Sequence, residues 1–220
     1  FDGNVNLTYK IIDGLTFSAQ GYLNYSHSPS YTFTSSLTAP GELSGMTNSG
    51  VHGVTWQNIE NVTYDKTFNK DHHLTATAVF ELSGYEGKNI SIAGSELNNE
   101  FVGYWNVNNA ANITANNGYS ASSMVSALGR VMYSYKSRYM ATVTLRADGS
   151  SKFSEGNKWG YFPSAALAWN IAEENFMQNQ NIFDQLKLRA SFGVSGNSGI
   201  SSYSTLGMLA EKNYYSWGSG

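Results

Sequence analysis

The sequence predicts an all-β fold, a partial wall of about eight long strands from an antiparallel transmembrane β-barrel, and three observations point there. Apolar and polar residues alternate with period two through segments of about ten residues, longer than the usual five or six of globular strands. The connections alternate between short turns and long polar stretches, the pattern of barrels with short periplasmic turns and long extracellular loops. The polarity is also largely uncharged: charged residues make up 13% of the 220, about half the usual share of soluble domains.

The first pair of segments is a hairpin. Val5, Leu7, Tyr9 and Ile11 share one face while Asn4, Asn6, Thr8 and Lys10 share the other. Asp13-Gly14 tolerates the positive φ of a tight turn, and Leu15, Phe17, Ala19, Gly21, Leu23 and Tyr25 return on the apolar face. In the second pair, Val62, Tyr64, Lys66 and Phe68 precede a turn near Asn69 to His72, and Leu74, Ala76, Ala78, Phe80 and Leu82 follow it. Lys66 lies near enough to the turn to snorkel its ammonium into water. A third hairpin carries Val125, Ala127, Gly129, Val131, Tyr133 and Tyr135 into a Lys136-Ser137 turn and returns through Tyr139, Ala141, Val143, Leu145 and Ala147. The fourth joins Tyr161, Pro163, Ala165, Leu167, Trp169 and Ile171 to Leu188, Ala190, Phe192 and Val194, with a helical turn expected within residues 173–184.

Between these segments the expected connections run to two residues, roughly 30, a few, roughly 38, two and roughly ten, against a typical 4 to 6. Ten residues rising about 3.3 Å each at a tilt of about 40° span roughly 25 Å, the height of a barrel's apolar band. The opposite face carries Thr, Ser and Asn with Lys10, Glu81, Arg130, Arg146, Asp148, Lys187 and Arg189, which suits a watery lumen. Tyr9, Phe17, Phe68, Tyr133, Tyr135 and Tyr139 are placed to form one aromatic girdle, with Tyr25 and Tyr161 at the other. The same alternation also fits a soluble extracellular β-sandwich adhesin or lectin, which needs two packed inner faces.

Composition excludes several function classes. A formal charge of -3 with no Lys/Arg block leaves no electrostatic footprint for nucleic acid. Zero cysteines remove thiolate metal sites and thiol nucleophiles. The longest wholly apolar run, Ala165 to Trp169, is far short of a membrane-crossing helix. His72 and His73 are adjacent on a strand and point to opposite faces, so they cannot readily chelate one ion. His27 and His52 fall in a long loop without clustered carboxylates. No metal, cofactor or enzymatic activity is expected, since no serine has a positioned base.

Four motifs, YSYKSRY (Tyr133 to Tyr139), LRADGSSKF (Leu145 to Phe153), WGYFPSAALAW (Trp159 to Trp169) and LKLRASFGVSGN (Leu186 to Asn197), closely resemble the SusC/RagA-like TonB-dependent receptors of the Bacteroidetes outer membrane. NVTYDKTFNKDHHL (Asn61 to Leu74) is a weaker likeness. The resemblance implies a multi-pass bacterial outer-membrane barrel of about 22 strands with a plug in its lumen. It further implies TonB-driven uptake of oligosaccharides or peptides together with a SusD-like surface lipoprotein. Residues 1–220 are then expected to be part of one receptor barrel domain, with the plug domain, the TonB box and the final strand outside them. TonB would act through the missing N-terminal region, and outer-membrane lipid would meet the apolar face.

Within this frame Arg130, Arg146, Asp148, Lys187 and Arg189 face the lumen or plug, and Arg146 and Asp148 can pair. Asp148-Gly149 is expected to end its strand, Pro163 to begin one from an outer loop, and Gly196-Asn197 to mark a strand exit. The long stretches carry Tyr31, Phe33 and Trp56, then Tyr85, Phe101, Tyr104, Trp105 and Tyr119, then Tyr203, Tyr214, Tyr215 and Trp217. Rings beside amide side chains suit sugar recognition, and Trp56, Tyr104 and Trp105 are the candidate ligand contacts.

Overall fold

The computed structural model describes residues 1–38, 41, 43–177 and 182–207, so Tyr214, Tyr215 and Trp217 lie outside the described residues. A single antiparallel sheet holds eight strands in chain order, each hydrogen-bonded to its neighbours in sequence. They are β1 (Asp2–Ile12), β2 (Leu15–Thr34), β3 (Gly45–Phe68), β4 (His72–Leu97), β5 (Ala110–Tyr135), β6 (Tyr139–Ser150), β7 (Trp159–Asn170) and β8 (Lys187–Gly193).

Turn chemistry explains why the strands reverse where they do. Gly14 has φ 81°, Asn69 and Lys70 have 48° and 65°, and Lys136 and Ser137 have 52° and 56°. Paired positive φ values are those of the hairpin turns that match strand twist. Neither Lys136 nor Ser137 prefers this region, but the Lys136 amide donates to the Asp71 carbonyl at 2.7 Å and the Arg138 amide to Tyr135 at 2.9 Å. In the longer β7–β8 connector the expected helical turn is present as two single 3-10 turns, Ile171–Glu173 and Asn175–Met177.

Register keeps the two faces in step across all eight strands. One cross-strand row runs Tyr9, Phe17, Val62, Ala78, Gly129, Leu145 and Pro163, and the next towards the turns holds Leu15, Tyr64, Ala76, Val131, Val143, Ala165 and Phe192. This apolar face is open: Leu7 is 59% exposed, Val143 60% and Leu167 65%. Among the described residues the buried hydrophobic side chains are Met46, Leu97 and Ala110 alone. A sandwich would stack a second sheet about 10 Å away over that face. No second layer exists among the described residues, and the fold is the barrel wall.

Several expectations need correction. The long outer loops are mostly strand: β3, β4 and β5 run for 24, 26 and 26 residues. The two longest connections shrink to residues 35–44 and 98–109. Their Gly, Ser and Asn content hides the strand signal, yet each backbone finds a partner, with β2 and β3 paired without a break from Leu15↔Tyr64 to Thr34↔Gly45. At about 3.3 Å per residue and a tilt of about 40°, such a strand rises roughly 65 Å, more than twice the apolar band.

Trp56 therefore lies on β3 and not in a loop. β6 continues through Asp148-Gly149 to Ser150. Gly149 lies beneath the Trp159 ring, 3.1 Å from where a Cβ would stand, so glycine there makes room for the indole. Pro163 falls inside β7 rather than at its start, opposite Leu145. Its carbonyl accepts from the Val194 amide at 3.0 Å, so its missing N–H faces the β8 side, where that strand has just ended at Gly193.

Candidate functional site

The polar face carries a ladder of charges across β3 to β6. Gln57 Nε2 donates to Glu81 Oε1 at 2.7 Å, and Glu81 Oε2 lies 3.7 Å from the Arg146 guanidinium. Arg146 Nε is shared between Asp148 Oδ1 and Oδ2 at 2.8 and 2.9 Å, and its Nη2 donates to Ser126 Oγ at 3.1 Å. Arg146 and Asp148 thus pair with each other, and Arg146 reaches the neighbouring β5 through Ser126 and, across it, β4 through Glu81. The arrangement fixes one cation between two carboxylates.

The other polar-face candidates are more scattered. Arg130 Nε donates to Thr144 Oγ1 at 3.3 Å, Lys187 Nζ contacts Met140 Sδ at 3.1 Å, and Arg189 lies opposite Ala168. Above the ladder, a cavity of about 450 Å³ opens between residues 153–159 and 194–198, with Phe153, Phe162, Asn157 and Asn197 in its wall.

At the turn end, Glu174 gathers the polar atoms of Tyr139, Trp169 and Arg138. Tyr139 donates its hydroxyl to the carboxylate, Trp169 Nε1 donates at 3.1 Å and Arg138 Nη1 lies 3.4 Å away. Donation from Tyr139 and then Trp169 holds the Glu174 carboxyl below its usual range, with the Arg138 charge adding to it.

The far ends of β2 to β5 build the third region. Residues 98–109 fold back over the sheet as two 3-10 turns, Glu100–Val102 and Val107–Asn109, capped by the side chains of Asn99 and Asn106. Val107 and Tyr104 pack against Met46, Leu97 and Ala110. Gly94 makes this possible: a Cβ there would stand 2.7 Å from that of Ala110. Asn48 Nδ2 donates to the Tyr104 carbonyl at 3.0 Å, and Ser44 Oγ accepts from the Leu97 amide at 2.8 Å. Glu100 accepts from the Ser35 and Ser36 hydroxyls and from the Ser36 amide at 3.2 Å, and these donors hold its carboxyl below the usual range.

Tyr104 and Trp105 come together here. Tyr104 lies between Tyr31, at 5.4 Å, and Trp105, at 4.8 Å, while Trp105 is 81% exposed. Trp56 is apart from them, on the outward face of β3 opposite Leu23 and Gly84, its ring covering the glycine. The anchoring of the tip by Glu100 was not foreseen from the sequence. Its only local signals are Asn99 and Asn106, each accepting from the amide two residues on.

No family model matches the chain. It is 38% identical over 161 residues to TonB-dependent receptor P26 of Formosa agariphila, a match covering 72% of this chain and 16% of that receptor. Identity is 35% over 225 residues with TonB-dependent receptor P3 of the same organism, and 32% over 203 residues with TonB-dependent receptor SusC of Bacteroides thetaiotaomicron. These matches cover 94% and 91% of this chain.

The chain is a SusC/RagA-like TonB-dependent receptor sequence. It spans 16% to 21% of the length of these curated relatives. The fold agrees with the assignment. The SusC/RagA-like sheet superposes on the RagAB peptide transporter with a TM-score of 0.85 at 21% identity, over 99% of this chain and 25% of that one. The "open-open" state of the RagAB peptide importer gives a TM-score of 0.85 over 100% of this chain and 25% of that one.

Proposed function

We propose that this SusC/RagA-like chain forms part of the wall of an outer-membrane TonB-dependent importer that takes up oligosaccharides or peptides. The observation that carries this reading is the continuous two-faced sheet. One face exposes Leu7, Val143 and Leu167 as only lipid would tolerate, and the other bears an ion-paired polar ladder. Residues 1–220 then belong to one barrel domain, the plug and the TonB-contacting segment lying elsewhere in the parent protein. Arg130, Arg146, Asp148, Lys187 and Arg189 face the lumen and plug. The work done is gated movement of a solute, without covalent chemistry on it.

The SusD-like surface lipoprotein meets the protein at the tip, where Tyr104 and Trp105 offer exposed rings to partner or cargo. Trp56 belongs to the outer aromatic belt, since its ring lies on the outward face of β3, on the tip side of the Val62 row. Cells lacking the parent receptor are expected to lose energised uptake of one labelled oligosaccharide or peptide class, and cells lacking TonB to lose the same class. Unchanged uptake across both panels would reject the importer reading.

A further inference from the structure

His27 and His52 are far apart in sequence and belong to no motif, but the unbroken β2–β3 register sets them directly opposite each other. Their rings stack with centroids 4.2 Å apart and planes at 25°, on the face that carries the apolar rows nearer the turns. Both are exposed. The next pair towards the tip is Pro29 and Gly50, so no long side chain stands over the rings on that side. On β4 the residue opposite His52 is Lys88, whose Nζ is paired with Glu86 Oε1 at 2.7 Å.

A neutral imidazole keeps one unprotonated ring nitrogen, and histidine is the commonest metal ligand for that reason. Directly opposed strand positions have Cβ atoms about 4.5–5.5 Å apart, so two imidazoles reach one ion at about 2.0–2.1 Å once the exposed rings rotate out of their stack and each aims a nitrogen at it. We infer that His27 and His52 form a two-point site for a divalent transition-metal ion, with Cu²⁺ the tightest of the series. Water, or a donor from a molecule docked on the tip, completes the coordination. The inference stands on the β2–β3 register and is independent of the import reading.

The test uses the full-length receptor, prepared in detergent without a polyhistidine tag and stripped of metal, titrated with Cu²⁺ against a competing chelator. One ion is expected to bind with two imidazole nitrogens coupled in its electron paramagnetic resonance spectrum. His27→Gln and His52→Gln should each weaken that ion at least about tenfold, and the double variant should lose little more than either single one, because a chelate is broken with its first ligand. Additive losses, or titrations identical to the wild type, would overturn the site. A second measurement needs no variant: Cu²⁺ should protect His27 and His52 of the wild-type receptor together from acylation by diethylpyrocarbonate while leaving His73 reactive. Absence of joint protection would overturn it equally.

Discussion

The same strands behave as two different materials along their length. Near the short turns, β3 to β7 present Val62, Phe80, Val131, Val143 and Leu167 outward and bury almost nothing. Towards the tip, β2 to β5 keep the same alternation, but their outward positions hold His27, Asn48, Lys88 and Asn117. There the chain builds the one small core among its described residues, around Met46, Leu97 and Ala110. Where lipid is the solvent, an apolar face needs no protein partner; where water is, the strands need packing and capped turns to stay ordered.

A charge placed on each half should separate them most sharply. Val143→Arg puts a guanidinium near mid-height of the apolar face and is expected to cost about 2–4 kcal/mol of folding into vesicles. Asn117→Arg, also outward but at the tip, is expected to stay within about 0.5 kcal/mol. Urea titration of the refolded parent receptor, read by heat-modifiable electrophoresis, gives both values. Equal costs would mean that the apolar rows do not face hydrocarbon.

The converse change deletes packing. Met46 is 3% exposed and central to the tip core, so Met46→Ala should cost about 2 kcal/mol there, at the low end for such truncations because the cluster is small. Hydrogen exchange should accelerate in residues 45–50 and 92–97 while amides of the turn half keep their protection. Uniform acceleration would show that the two halves unfold as one unit.

How much of this was legible in the sequence follows the same division. In the turn half, Val, Leu, Phe and Tyr alternate with Thr, Ser and Arg, so strand limits, turns and faces could be read, including the Lys136-Ser137 reversal and the Arg146–Asp148 pair. At the tip, alternation of Gly, Ser and Asn has no hydrophobic amplitude, and strands there resemble loops. What holds them is backbone pairing with a neighbour dozens of residues away, which no local pattern encodes. For that reason the sequence pattern puts Trp56, His27 and His52 in loops and carries no sign of the partnership of Glu100 with Ser35 and Ser36.

The polar-face ladder offers a smaller effect on the turn half alone. Arg146→Met leaves Glu81 and Asp148 facing each other without their shared cation, but Arg146 is 36% exposed and water screens the remainder. A loss of about 1 kcal/mol is expected. Added salt should narrow the gap between variant and wild type in the same urea titration, and Arg146→Lys should recover only part of it, since an ammonium cannot reproduce the two-oxygen contact. A salt-independent loss would point to packing of the arginine stem instead.

The smallest effect is confined to the tip and appears only in acid. The Ser35 and Ser36 hydroxyls, with the Ser36 amide, hold the folded Glu100 carboxyl below its ordinary value of 4.5, which it regains when the tip opens. A carboxyl lowered in the folded state contributes stability that is fully present above the ordinary value and is lost as pH falls through the lowered one. Hydrogen exchange of residues 98–109, corrected for its intrinsic pH dependence, should therefore be constant from neutral pH to about 5 and rise below about 4. Glu100→Gln should flatten that rise, because its amide carries no proton to gain and still offers an oxygen to the serines. The turn half has no reason to follow the same curve, so an acid transition shared by both halves would assign the loss to other carboxylates, Glu174 at the girdle foremost.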